Sequence, residues 1–136
     1  MPCPRCVSVM LEASYLGPVA VHRCSSCDGH WFSRGQLVAC LRSPAVSYLA
    51  ERWRGTTAPV VQVSGPAICP TCEVELGRKR PAELGDAAVD ICARCGGTWL
   101  DGREIRTAFH ARSLGRPPWA QWWEAIEQVV AFWRRS

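Results

Sequence analysis

The chain has 136 residues, of which 48% are apolar and 21% charged, with a formal net charge of +4. That composition excludes a disordered tail and an ordinary membrane protein, and no apolar run approaches the ~18 residues a transmembrane helix needs. The start, Met1-Pro2-Cys3-Pro4-Arg5-Cys6, lacks the apolar stretch of a signal peptide. A reducing, cytoplasmic compartment is therefore expected, where clustered cysteines bind metal rather than form disulfides. Nine cysteines and seven tryptophans are far above ordinary usage, and an odd number of thiols does not close a disulfide framework.

Eight of the nine cysteines form four Cys-x-x-Cys pairs in two sets. Cys3 and Cys6 are followed after 17 residues by Cys24 and Cys27, and Cys69 and Cys72 after 19 residues by Cys92 and Cys95. A Cys-x-x-Cys turn places two sulfurs on one ion with its amides directed at them, and two such turns complete a tetrahedron. The spacing predicts two Zn2+ ions, each held by four thiolates with no open position, hence structural rather than catalytic. Copies of about 40 residues bury too little apolar surface to fold alone, so the metal supplies much of the folding free energy. On this reading, Cys24→Ser or Cys92→Ser unfolds its own copy and loses one zinc.

The repeat extends beyond the ligands. At an offset of 68, Gly17, Val21, Gly29, Trp31 and Gln36-Leu37 fall on Gly85, Val89, Gly97, Trp99 and Glu104-Ile105. Each copy should open with a knuckle, then a strand over 7–12 or about 73–78. A turn follows at Gly17-Pro18 or Gly85-Asp86, then a strand through Val19 and Val21 or Val89 and Ile91 into the second knuckle. Gly29 and Gly97 are expected to supply a positive φ. Ser33-x-x-Gln36 and Asp101-x-x-Glu104 read as capping boxes that open helices. Ser43-Pro44 starts a further helix through Trp53, with serine as cap. Residues 54–66 form a linker in which Val60-Val61-Gln62-Val63 could be extended.

Cys3-Pro4-Arg5-Cys6 with Cys24-Ser25-Ser26-Cys27-Asp28-Gly29-His30-Trp31, and Cys69-Pro70-Thr71-Cys72 with Cys92-Ala93-Arg94-Cys95-Gly96-Gly97-Thr98-Trp99, resemble the TFIIB-type zinc-ribbon family of small prokaryotic proteins. The resemblance covers roughly 1–42 and 67–110; it implies zinc binding and hints at a transcription-linked role. The expected architecture is a small metal-stabilised α+β fold of two tandem four-cysteine zinc ribbons, each a β-hairpin with a following helix, and a Trp-rich C-terminal amphipathic helix. Its organisation reads as a first ribbon plus helix over 1–53, the linker 54–66, a second ribbon plus helix over 67–112, and the C-terminal helix over 113–136.

In that last segment Trp119, Trp122, Trp123, Ile126, Val129, Val130 and Trp133 recur at helical spacing. Three roles are open to it: packing on the ribbons, anchoring a protein partner or a second copy, or lying on a membrane surface. Trp31 and Trp99 read as core, and Cys40, which aligns with Ala108, as a buried thiol outside the ligand sets. His22, His30 and His110 read as surface or partly packed residues.

Each filled site carries four thiolates and a dication, so two sites bring the +4 chain close to neutrality. That disfavours unselective nucleic-acid binding. One basic run, Arg78-Lys79-Arg80, reads as a solvated hairpin tip or a phosphate contact. No catalytic motif is apparent, so no enzymatic activity is expected. A non-catalytic adaptor for a protein partner is the favoured function; the alternatives are a nucleic-acid-binding ribbon and, more weakly, a thiol redox or zinc-release switch.

Overall fold

The computed structural model describes residues 1–60, 65–114, 129 and 132–134. Its first copy contributes β1 (Glu12–Leu16), β2 (Val19–Arg23), β3 (His30–Phe32), α1 (Gln36–Arg42) and α2 (Ala45–Arg52). The second contributes β4 (Gly77–Lys79), a 3-10 turn (Ala82–Leu84), β5 (Val89–Ile91), β6 (Thr98–Leu100) and α3 (Gly102–Leu114). All six strands join one antiparallel sheet in the order β1-β2-β3-β6-β5-β4. The copies meet at the centre, where β3 pairs with β6 and Trp31 stands opposite Trp99.

The expected first strand of each copy starts later than its sequence suggests. Val7 and Glu73 adopt positive φ, 58° and 60°, because their amides close the knuckle onto the carbonyls of Cys3 and Cys69. The chain then runs back beside its own start through the isolated bridges Pro2–Met10 and Ile68–Glu75. Regular pairing begins only at Glu12 and Gly77. The β3 and β6 strands were not anticipated. They are three residues long, and His-Trp-Phe and Thr-Trp-Leu are good strand formers too short to show a period.

Neither expected capping box forms. Gln36 donates its backbone N–H to the Ser33 carbonyl at 2.9 Å, and the residue before α1, Gly35, is left-handed with no side-chain cap. In the second copy Asp101 accepts the Trp99 indole N–H at 2.8 Å, and Glu104 accepts the Ala88 N–H at 2.7 Å. Both carboxylates tie α3 to the sheet instead of closing its first turn. The Ser43 hydroxyl does cap α2, accepting the Ala45 N–H at 3.1 Å.

Two apolar layers cover the sheet. Against one face, α1, α2 and α3 pack with Phe32, Leu37, Val46, Leu84, Val89, Leu100, Ile105 and Phe109. Cys40 lies in this layer; burial pushes its thiol up to about 12, which makes it an inert packing residue as expected. Trp133 also packs against this layer. Trp119, Trp122, Trp123 and most of the segment they belong to lie outside the described residues, as do 61–63 of the expected extended run. Trp31 and Trp99 belong to the opposite layer, with Leu76, Ala67 and the cysteines of both sets.

Gly29 and Gly97 take no positive φ; that conformation falls one residue earlier, on Asp28 (61°) and Gly96 (76°). The two glycines serve a different need. A Cβ on Gly97 would overlap the Trp31 ring, and a Cβ on Gly29 the Trp99 ring. Each tryptophan of one copy thus lies flat on the knuckle of the other. A buried tryptophan removes roughly 150–250 Å² from water, which at about 25 cal/mol per Å² is on the order of 4–6 kcal/mol. Gly97→Ala should therefore lower the stability of the zinc-loaded protein by about 1–3 kcal/mol through overpacking. Gly77→Ala, where a Cβ meets only ordinary contacts, should stay within about 0.5 kcal/mol. Thermal denaturation of the two variants makes the comparison.

Candidate metal centres

The strand ends bring the cysteines together as the spacing predicts. Cys3, Cys6, Cys24 and Cys27 form one cluster and Cys69, Cys72, Cys92 and Cys95 another, with all sulfurs of a cluster within 4.8 Å of one another. The closest sulfur pairs are Cys3–Cys27 and Cys6–Cys24 at 3.8 Å and Cys69–Cys95 at 3.7 Å. A regular tetrahedron of Zn–S bonds of about 2.3 Å has edges of about 3.8 Å, so the donors are already at ligand separation.

Backbone amides support the thiolates. The N–H groups of Arg5 and Cys6 point at the Cys3 sulfur at 3.4 and 3.3 Å, and that of Cys27 at Cys24 at 3.5 Å. In the second set the amides of Cys72, Cys95 and Gly97 reach Cys69, Cys92 and Cys95 at 3.3–3.4 Å. Without metal the crowded sulfurs share protons unequally. The hydrogen bond from Cys27 pulls the Cys3 thiol down to about 5 and pushes Cys27 up. Burial raises Cys95, but the Thr71 hydroxyl, the Gly97 amide and the Cys92 and Cys69 thiols outweigh it and leave Cys95 at about 7. Part of each cluster is thus ionised near neutrality, which eases metal entry. The Thr71 hydroxyl lies 3.2–3.7 Å from the sulfurs of Cys69, Cys72 and Cys95, a supporting contact that the aligned Arg5 does not make. The donor set, its spacing and its amide shell fit two structural zinc ions.

Ion pairs interlock the two centres. Arg5, inside the first knuckle, reaches Asp90 and Asp101 of the second copy at 3.6 Å each. Asp28, next after the second knuckle of the same set, accepts from Arg106 of α3 at 2.8 Å and also pairs with Arg23. Burial raises the Asp28 carboxyl, but the hydrogen bonds from Arg106 and Arg23 prevail and hold it below its usual value. Asp90 goes the other way: burial lifts it more than Arg78 and Arg5 lower it.

Arg78 was expected at a solvated tip or on a phosphate. It is exposed, as at a solvated tip, and also pairs with Asp90 at 3.6 Å and Glu104 at 3.4 Å. Arg80 donates to the Asp86 carbonyl at 3.1 Å, while Lys79 is exposed.

His30 corrects another expectation. Only 2% of it is exposed, its ring centroid is 6.2 Å from that of Trp53, and its Nδ1 has no hydrogen-bond partner. Its period-two place beside Trp31 in a strand was the available signal, but the strand itself was not legible. Burial pushes its pKa down to about 4. The unfolded chain, titrating near 6.5, binds the proton first as pH falls. Stability contributed by neutral His30 is therefore complete above about 6.5 and lost as pH drops toward 4. His30→Leu should flatten the acid limb of a stability-against-pH curve relative to the natural chain. An unchanged limb would show that His30 does not titrate as described.

Removing metal should have a larger effect. Two zinc ions per chain are expected by elemental analysis. A strong chelator should abolish the near-ultraviolet signal of Trp31 and Trp99 along with the secondary structure.

A family model described as a transcription factor zinc-finger matches residues 2–43 and again residues 68–110. No curated protein and no solved structure matches the chain. The two matches take in more than half of the chain, each brackets one four-cysteine cluster, and the protein therefore belongs to the TFIIB-type zinc-ribbon family, carrying two copies of the unit in tandem.

Proposed function

We propose that the protein is a non-catalytic adaptor, linked to transcription, that uses its zinc ribbons as a rigid scaffold for a protein partner. The observation that carries this reading is the closed ligand set. Each centre offers four thiols to one ion, so no coordination position is left for substrate or water. The charge pattern supports it as well. Arg5, Arg23, Arg78 and Arg106, which lie around the centres, are each paired with Asp or Glu of this chain, which reduces the positive charge they offer a phosphate backbone.

The contact is assigned to the C-terminal segment. Trp119, Trp122 and Trp123 recur there at helical spacing. Tryptophan is among the residues that dominate binding energy at protein interfaces. Among the described residues no helix is long and apolar enough to cross a membrane.

Changing Trp122 and Trp123 together to alanine in the full chain should lower capture of the partner from nuclease-treated extract at least tenfold, with a small change in melting temperature. Equal capture by both proteins moves the interface onto the ribbons. The second reading, nucleic-acid binding, rests on exposed Lys79 and its neighbour Arg80. It requires salt-dependent retention of nucleic acid that Lys79→Ala with Arg80→Ala weakens.

A further inference from the structure

We infer that the two zinc centres are energetically coupled, so that loading one raises the affinity of the other. Coupling needs a shared element whose order both sites bias, and the structure supplies three. The first is the reciprocal packing of tryptophan on glycine. Trp31 follows Cys27 by four residues and its ring covers Gly97, two residues past Cys95; Trp99 and Gly29 repeat the arrangement in reverse. Ordering either second knuckle therefore positions the ring that seals the other.

The second element is the sheet. β3 and β6 each leave a second knuckle and pair with β2 and β5 of their own copy on one side and with one another on the other, so the second edge of each stays open until both copies are in place. The third is the contact shell around the ligands. The Pro4 carbonyl, inside the first knuckle, accepts the Ile68 N–H just before Cys69, and Arg5 spans to Asp90 and Asp101. Gly102 at the start of α3 lies against the carbonyls of Cys27 and Asp28, while the stem of Arg34 covers Gly96. These contacts differ in kind, yet every one of them joins a ligand loop of one copy to the other copy.

The apolar layer that holds the tryptophans is accordingly a single cluster containing Cys3, Cys24, Cys27, Cys69 and Cys92. With one set empty, the other must order its loops without half of this layer. Breaking one site thus costs more than the one ion expected for two separate ribbons.

Native mass spectrometry of the reduced, metal-free full chain with one equivalent of Zn2+ tests this directly. Independent sites put about half of the chains, or more if the sites differ in affinity, in the one-metal state at half saturation. Coupling predicts a one-metal fraction well below half, with metal-free and two-metal chains dominating. A fraction at or above half overturns the inference. A second measurement follows Co2+ binding to Cys92→Ser by its thiolate charge-transfer absorption. The intact first set should bind at least tenfold more weakly than in the natural chain; unchanged affinity overturns the inference as well. Gly97→Ala, which displaces Trp31 while keeping every ligand, should raise the one-metal fraction of the natural sequence toward half.

Discussion

The structure depends on the pairing of β3 with β6 and on the two tryptophans it sets opposite each other. A ribbon of this size has one apolar face, too small to be covered by its own short helix. Here each copy covers the other. The rings of Trp31 and Trp99 come to rest against the backbone just past the second knuckle of the opposite copy. A side chain there would stand inside the indole, so Gly29 and Gly97 are required by a ring that belongs to a different part of the chain. The glycine that the turn itself requires sits next door, at Gly96, and the first copy manages the same turn with Asp28.

The exact repeat in the ligands is not matched by an exact repeat in the contacts. Where the two copies touch, large meets small: Arg34 arches over Gly96, and Gly102 sits against Asp28, although Arg34 aligns with Gly102 and Asp28 with Gly96. The ion pairs are one-sided too. Arg5 and Asp28 of the first copy reach into the second, but their counterparts, Thr71 and Gly96, form no such pair among the described residues. Thr71 instead turns its hydroxyl to its own sulfurs. The duplicated unit has thus specialised into two halves of one interface, which fixes their order and orientation.

This arrangement has consequences for charge. Two filled four-thiolate sites are anionic, and Arg5, Arg23, Arg78 and Arg106 around them pair with aspartates and glutamates of the chain. Arg106 is used three times over, on Asp28, on Thr56 and across the Trp53 ring. It joins the second knuckle of the first set to the chain after α2 and to α3.

Much of the protein was legible from its residues. The eight ligands, their division into two sets, the hairpin turn at Gly17, the serine that caps α2 and the buried state of Cys40 all follow from local spacing or from alignment of the repeat. Such features depend on residues a few positions apart, where bond geometry leaves little choice. What the sequence could not show depends on residues that the fold brings together, in the same copy or in the other. β3 and β6 are too short to carry a period, and each is held between a strand of its own copy and one of the other. Asp101 and Glu104 have the pattern of a capping box, yet a tryptophan indole and a distant amide compete for them and win. Arg78 is exposed as a solvated tip should be, but its pairing with Asp90 and Glu104 shows only in the fold. His30 is buried because the sheet continues past it. Local chemistry determined where the metals bind; tertiary packing, within and between the copies, decided the partners of the remaining side chains.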